Sequence, residues 1–212
     1  MMNKNIKKRL VRVAVLSAIA LVVGAGMGWF QVRNTSPPPD RSMPIAGVKI
    51  GGPFTLTDQD GKVVTEKNYA GAYKLIYFGF TACPAICPTE LAKMTQVLNG
   101  LGKDAEAIQP LFITLDPERD DVKTIKNYMS LFHPRFQGLT GTVDQIEAVK
   151  KTYRVYGAKE QTDSAMEYTI NHSSYIYLMS PADELISIYK AEDQAAFITE
   201  DIKSKIEFGQ TD

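Results

Sequence analysis

Cysteine and histidine are scarce in this chain of 212 residues, with two of each. Two cysteines exclude the disulfide-dense scaffolds with which small secreted domains compensate for thin cores, and a chain of this length has enough apolar content for a proper core without them. Tryptophan occurs once, at Trp29. Acidic residues are missing from the first 33 positions, and charge of either sign is missing between Val13 and Phe30. A basic excess is missing too, because 24 bases balance 24 acids, so the electrostatic footprint of a nucleic-acid binder is absent. There is no internal repeat, and no low-complexity tract beyond Pro37-Pro38-Pro39.

What is present is unevenly spread. Residues 1–12 carry Lys4, Lys7, Lys8, Arg9 and Arg12 and no acid, which reads as a basic cytoplasmic segment. Residues 13–32 read as one transmembrane helix, since the uncharged run is about what a helix needs to cross roughly 30 Å of hydrocarbon. Trp29 and Phe30 stand at its far end, where interfacial aromatics belong. The basic flank puts the N-terminus in the cytoplasm and the remainder outside. A cleaved signal peptide is the rival, but its apolar region spans only about 7–15 residues before a small-x-small site, whereas this run continues past Gly24-Ala25-Gly26. Gly24, Gly26 and Gly28 read as small residues of the span rather than as a nucleotide loop. Residues 33–52, with the three prolines, Pro44 and Gly51-Gly52, read as a stiff linker. All 24 acids but only 18 of the 24 bases lie after residue 33, leaving the exported part at −6. In a bacterium this is a single-pass protein of the inner membrane with its C-terminal domain in the periplasm. Disulfides persist there, so free thiols need a reason.

Residues 53–212 read as one domain. Residues 54–57 and 62–64 are strands about the turn Asp58-Gln-Asp-Gly61, and "KLIYFGF" at 74–80 is a buried strand by its apolar run. Pro88 suits a helix start. Leu91, Met94, Val97, Leu98 and Leu101 continue that helix, and Asn99-Gly100 ends it. "LFITLD" at 111–116 is the next strand. A helix with Val122, Ile125, Met129 and Phe132 on one face follows, then another through Val143, Ile146 and Val149. "SSYIYLM" at 173–179 and "LISIYK" at 185–190 form a hairpin, and Ile198, Ile202 and Ile206 stripe a closing helix. The order predicts an α/β, thioredoxin-like fold with an N-terminal β-hairpin and inserted helices, preceded by the transmembrane helix. In that layout "FTACPAICPTEL" at 80–91 sits where the first strand of the βαβ unit meets its helix.

Both cysteines, Cys83 and Cys87, lie in that stretch. At a helix N-terminus the partial positive charge favours thiolate. A purely structural bridge over so short a loop stabilises little. A close dithiol at a strand-to-helix turn is also the geometry of disulfide exchange, here with one residue more than C-x-x-C. Two thiolates are equally an incomplete soft metal site. His133, in "LFHPRF", reads as a loop histidine, whereas His172, in "INHSSYIYLM", stands at the entrance of a strand that faces the dithiol turn in this fold. Two thiolates and one imidazole suit copper; zinc is a formal competitor, but structural zinc asks for four ligands. Met94 and Met129 fall on core stripes and are not enlisted. Asp116, at the end of the strand beside the dithiol strand, has two readings. It orients or tunes the histidine from outside the ligand set, or Asp116-Pro117 simply starts a turn whose Glu118, Asp120 and Asp121 cap the next helix.

Taken in order, "GFTACPAICPTEL", "TLDPERDD", "GLTGT", "YRVY" and "NHSSYIYLMSP" resemble the Sco (SenC) family over residues 50–208. The resemblance implies a membrane-tethered, thioredoxin-like metallochaperone that handles copper, as Cu(I) or Cu(II), for assembly of the CuA centre of cytochrome c oxidase. It implies copper ligation by Cys83, Cys87 and His172, with Asp116 acting from just outside the ligands. The partners it implies are the CuA-bearing oxidase subunit or another periplasmic copper protein, and a thiol reductant. The alternative is a thiol:disulfide oxidoreductase in which Cys83 and Cys87 reduce an acceptor's cysteines before metallation. Two positions depart from the family pattern: Ala85 and Asn171 stand where many members carry acids, which removes negative charge from the mouth of the site.

Overall fold

The computed structural model describes residues 49–162 and 167–209, with Ser17 alone ahead of them. The expected membrane span over 13–32, and all of the linker before Lys49, lie outside these apart from Ser17. Among the described residues no helix is long and apolar enough to cross a membrane.

Thr55–Asp58 (β1) and Val63–Thr65 (β2) pair antiparallel. The turn between them is built by Asp58, whose Oδ1 accepts the backbone N–H groups of Asp60 and Lys62 at 2.9 Å each, while Gly61 takes φ +79, a conformation side chains resist. After a 3-10 turn at Glu66–Tyr69, Tyr73–Gly79 forms β3, Ile86–Leu101 forms α1, and Ile108–Thr114 forms β4, parallel to β3. All five residues of the predicted α1 stripe are buried. The helix runs past Gly100 and stops at Gly102, φ +60. Gly100 serves packing instead: a Cβ there would meet Thr199 at 3.1 Å.

Val122–Met129 (α2) is capped by Asp121, which accepts the Thr124 N–H at 2.7 Å. Gln137–Thr140 (β5) then enters the sheet parallel to β4 and antiparallel to β1. Val143–Tyr153 (α3) follows, with a reciprocal capping box between Thr142 and Gln145. Gly157–Gln161 (β6) and Tyr168–His172 (β7) make a two-stranded sheet of their own. Ile176–Met179 (β8), Leu185–Tyr189 (β9) and Ala195–Gly209 (α4) close the domain. The main sheet has the order β2-β1-β5-β4-β3-β8-β9.

The expected βαβ and ββα halves are therefore present, with the N-terminal hairpin, but the material between them differs from the prediction. It holds a sheet strand, β5, and the β6–β7 hairpin as well as helices. Two registers bring distant segments to one edge. Because β3 and β4 are parallel, with Gly79 opposite Thr114, the dithiol turn and Asp116 leave the sheet side by side. Because β8 is antiparallel to β3, with Ile176 opposite Tyr77, the chain just after His172 enters at that same edge. His133, ahead of β5, belongs to the opposite edge, as parallel strands require.

Candidate metal centre

Cys83, Cys87 and His172 come together: one ligand atom from each lies within 4.8 Å of the others. Metal–ligand bonds of about 2.0–2.3 Å place two ligands of one ion roughly 3.5–4.5 Å apart, so the donor set fits a shared ion with slight contraction. Asp116 stands outside this cluster.

The start of α1 explains the dithiol. Ala85 is the N-cap and offers no side-chain bond, and Pro88 has no N–H to satisfy. The Cys87 N–H is left, and it donates to Cys83 Sγ at 3.4 Å. The sulfur does what a serine or aspartate cap does elsewhere. Pro88 thus occupies the third helical position rather than the first. Cys83 is held well below the usual thiol range, first by the hydrogen bond it accepts from the Cys87 side chain, with smaller help from the N–H groups of Cys87 and Ala85, against the upward push of burial. Cys87 moves up, because its S–H donates a hydrogen bond to Cys83 and the residue lies fully buried. The Tyr77 hydroxyl also donates to Cys87 Sγ, at 3.7 Å.

His172 ends β7, and its Nε2 lies 3.6 Å from Cys87 Sγ. Its Nδ1 lies 3.0 Å from the Ser173 carbonyl. A carbonyl only accepts, so Nδ1 carries the proton and Nε2 presents a lone pair to the thiols. The rings of Phe80 and Tyr77 meet the imidazole edge-on at 5.8 and 6.3 Å.

Asp116 is fully buried. Its Oδ1 accepts the Tyr168 hydroxyl at 2.8 Å, and its Oδ2 accepts Nε of Arg119. Of the acids expected to cap α2, Asp121 does so, while Asp120 turns inward and accepts Thr81 N–H at 3.0 Å, Thr81 Oγ1 at 2.5 Å and Thr114 Oγ1 at 2.5 Å. Burial raises the Asp120 carboxyl, opposed by these bonds. This carboxylate braces the dithiol turn against the end of β4.

Gly79 completes the wall: a Cβ there would sit 2.8 Å from Cys87 Sγ. Gly79, Arg119 and Tyr168 were not singled out from sequence, and Asp120 was read only as a cap of the next helix. The spacing of Asp116 and Asp120 was visible in "DPERD"; nothing local pointed to Arg119 or Tyr168. His133 keeps its loop role, with Nδ1 accepting the Arg135 N–H at 3.2 Å, and Met94 and Met129 are buried in the core.

Comparison with known proteins identifies the family of the chain. The SCO1/SenC family model matches residues 43–207. Protein SCO1 homolog 1, mitochondrial, of Arabidopsis thaliana is 40% identical over 165 residues, covering 77% of this chain and 49% of its own length, so the chain spans about half of that relative. The SCO2-like protein of Rickettsia felis is 36% identical over 200 residues, covering 90% and 96%. Among solved structures, Bradyrhizobium japonicum ScoI with copper bound superposes at a TM-score of 0.68 with 43% identity, over 73% of this chain and 98% of that one. BsSco, described with a disulfide switch and as a member of the Sco family of cytochrome c oxidase assembly proteins, gives 0.59 with 27% identity, over 74% and 92%. The family match over most of the chain and the thioredoxin-like core that carries the cluster lead to one assignment: the chain belongs to the SCO1/SenC family.

Proposed function

We propose that this protein is a copper metallochaperone that holds one copper ion through Cys83, Cys87 and His172 and passes it to a copper protein during cytochrome c oxidase assembly, the CuA-bearing subunit being the preferred acceptor. The observation that carries the reading is the convergence of two sulfurs and the bare Nε2 of His172 within 4.8 Å. Thiolates select Cu(I), and imidazole suits copper in either state. The thiols must be reduced and deprotonated to bind, and the depressed Cys83 thiol supplies the first thiolate. On this reading residues 13–32 anchor the chain in a bacterial inner membrane, residues 33–52 space it, and residues 53–212 work in the periplasm.

A second reading is favoured by the opposite displacement of the two thiols. Cys83 thiolate attacks an acceptor disulfide and forms a mixed disulfide. Cys87, once deprotonated, attacks Cys83 Sγ and releases the acceptor dithiol, leaving a Cys83–Cys87 disulfide that an external dithiol must reduce.

The test is anaerobic titration of the reduced full chain, in mild detergent, with Cu(I) and with Cu(II), alongside His172→Ala and Cys83→Ser. One copper per chain, strongly weakened by either substitution, supports delivery. Wild-type copper binding by His172→Ala, or no retention against a mild chelator, removes the copper reading and leaves the reductant.

A further inference from the structure

We infer that Tyr168 and Arg119, gathered by Asp116, are positioning residues that clamp the β6–β7 hairpin so that His172 reaches the thiols; the inference rests on the copper reading above. Among the described residues the strands of this hairpin pair only with each other. A lone two-stranded hairpin is marginal in water, so tertiary contacts have to hold it. Tyr168, Ile170 and His172 alternate along β7 and share one face, with Ile170 buried and Asn171 exposed on the other.

Tyr168 is gripped three ways. Its hydroxyl donates to Asp116 Oδ1 at 2.8 Å, its carbonyl accepts from Arg119 at 3.0 Å, and the guanidinium lies 3.8 Å from its ring centroid. Asp116 orients Arg119 through Nε. Because Asp116 has 0% exposure, water does not compete for these bonds. A second line runs from Arg119 over the Phe80 ring, at 5.9 Å, to the edge of His172. Asp116 therefore acts on the histidine through Tyr168, which lies four residues from His172 along β7, about 14 Å at ordinary strand rise. Lys159, paired with Glu118, lies 4.7 Å from the Tyr168 ring; that pair is exposed and adds little.

Loosening the clamp takes away the imidazole but leaves both sulfurs. Copper(II), which leans on the imidazole, then suffers more than Cu(I), which two thiolates hold. The experiment titrates the full chain in detergent with Cu(I) and Cu(II) against chromophoric chelators, comparing wild type, Tyr168→Phe, Asp116→Asn and His172→Ala. Hydrogen–deuterium exchange of the hairpin amides is followed in the metal-free proteins. Tyr168→Phe is expected to weaken Cu(II) about 10-fold, in the range of partners that orient metal ligands, to alter the thiolate-to-Cu(II) absorption, to leave Cu(I) within about threefold, and to speed exchange in β6 and β7. Asp116→Asn is expected to do the same, without adding to Tyr168→Phe in the double variant. Unchanged Cu(II) affinity and absorption in Tyr168→Phe while His172→Ala loses Cu(II) overturns the clamp and spares the ligand assignment. An equal fall of Cu(I) and Cu(II) that follows the unfolding midpoint also overturns it. If His172→Ala holds Cu(II) normally, the ligand assignment fails and the clamp with it.

Discussion

The backbone N–H of Cys87 points at the sulfur of Cys83 across 3.4 Å. That contact joins the chemistry of the dithiol to the start of a helix, because the cap that the Ala85 side chain does not provide comes from a sulfur. The helix end and the thiolate stabilise each other.

Ala85→Asp tests this coupling. A carboxylate at the N-cap seeks the amides two or three residues on, and with Pro88 at the third position only the Cys87 N–H is available. The new carboxylate competes with Cys83 Sγ and adds negative charge beside it. The midpoint of the pH dependence of iodoacetamide alkylation at Cys83 is expected to move up by roughly one pH unit. An unchanged or lower midpoint would show that the sulfur does not depend on that amide.

The two thiols should also react in a fixed order. Cys83 is 8% exposed and held toward thiolate, while Cys87 is 0% exposed and held as thiol. With limiting iodoacetamide on the reduced, metal-free protein, Cys83 is expected to be modified at least about 10-fold faster, since the thiolate is the nucleophile. Peptide mass spectrometry reads the ratio, and preferential labelling of Cys87 refutes it.

Gly79→Ala should cost stability as well as copper. Its Cβ would fall 2.8 Å from Cys87 Sγ and 2.9 Å from the Tyr77 ring, and both neighbours are core atoms with little room. Overpacking of this kind costs about 1–3 kcal/mol, to be read as a shifted urea midpoint, with weaker Cu(I) retention because the sulfur is displaced. A variant of wild-type stability would mean that Cys87 shifts at no cost.

Asp120 gives a pH dependence of known sign. Burial raises its carboxyl above the ordinary value, so the folded protein holds this proton more tightly than the unfolded chain does. The contribution to stability is fully present below the unfolded value, about 3.9, and is lost as pH rises through the folded value. Asp120→Asn lacks this titration. Its stability relative to wild type is therefore expected to improve between pH 4 and pH 7 in urea unfolding curves. A gap that is constant, or widens against the variant, contradicts the assignment.

Much of the fold was legible in the sequence, and the exceptions have physical reasons. The stripes of α1 and α4 and the apolar run of β3 announce themselves because each buries a continuous face. The start of β4 was hidden by Pro110, which lies within the strand, where a missing N–H argues against strand. β5 is only four residues, "QGLT", too short for a period to emerge. β6 and β7, "GAKEQ" and "YTINH", are too polar to read as strands, since their one buried side chain is Ile170. Val143, counted on the α3 stripe, is 49% exposed at the first position of its helix. The ligand-type residues Cys83, Cys87 and His172 were visible because so few of their kind exist. The residues around them were not, because Arg119 and Tyr168 meet across 49 positions and only the folded chain brings them together.

The difference in burial between Cys87, at 0%, and Cys83, at 8%, gives the site an inside and an outside. On the delivery reading proposed above, an incoming ligand would approach from the side of Cys83 and the half-buried His172, and the bond to Cys87 would be the last to break. Transfer would then be one-sided, with the acceptor joining before the deepest sulfur lets go. An acceptor served in this way would need its own ligands within reach at its surface.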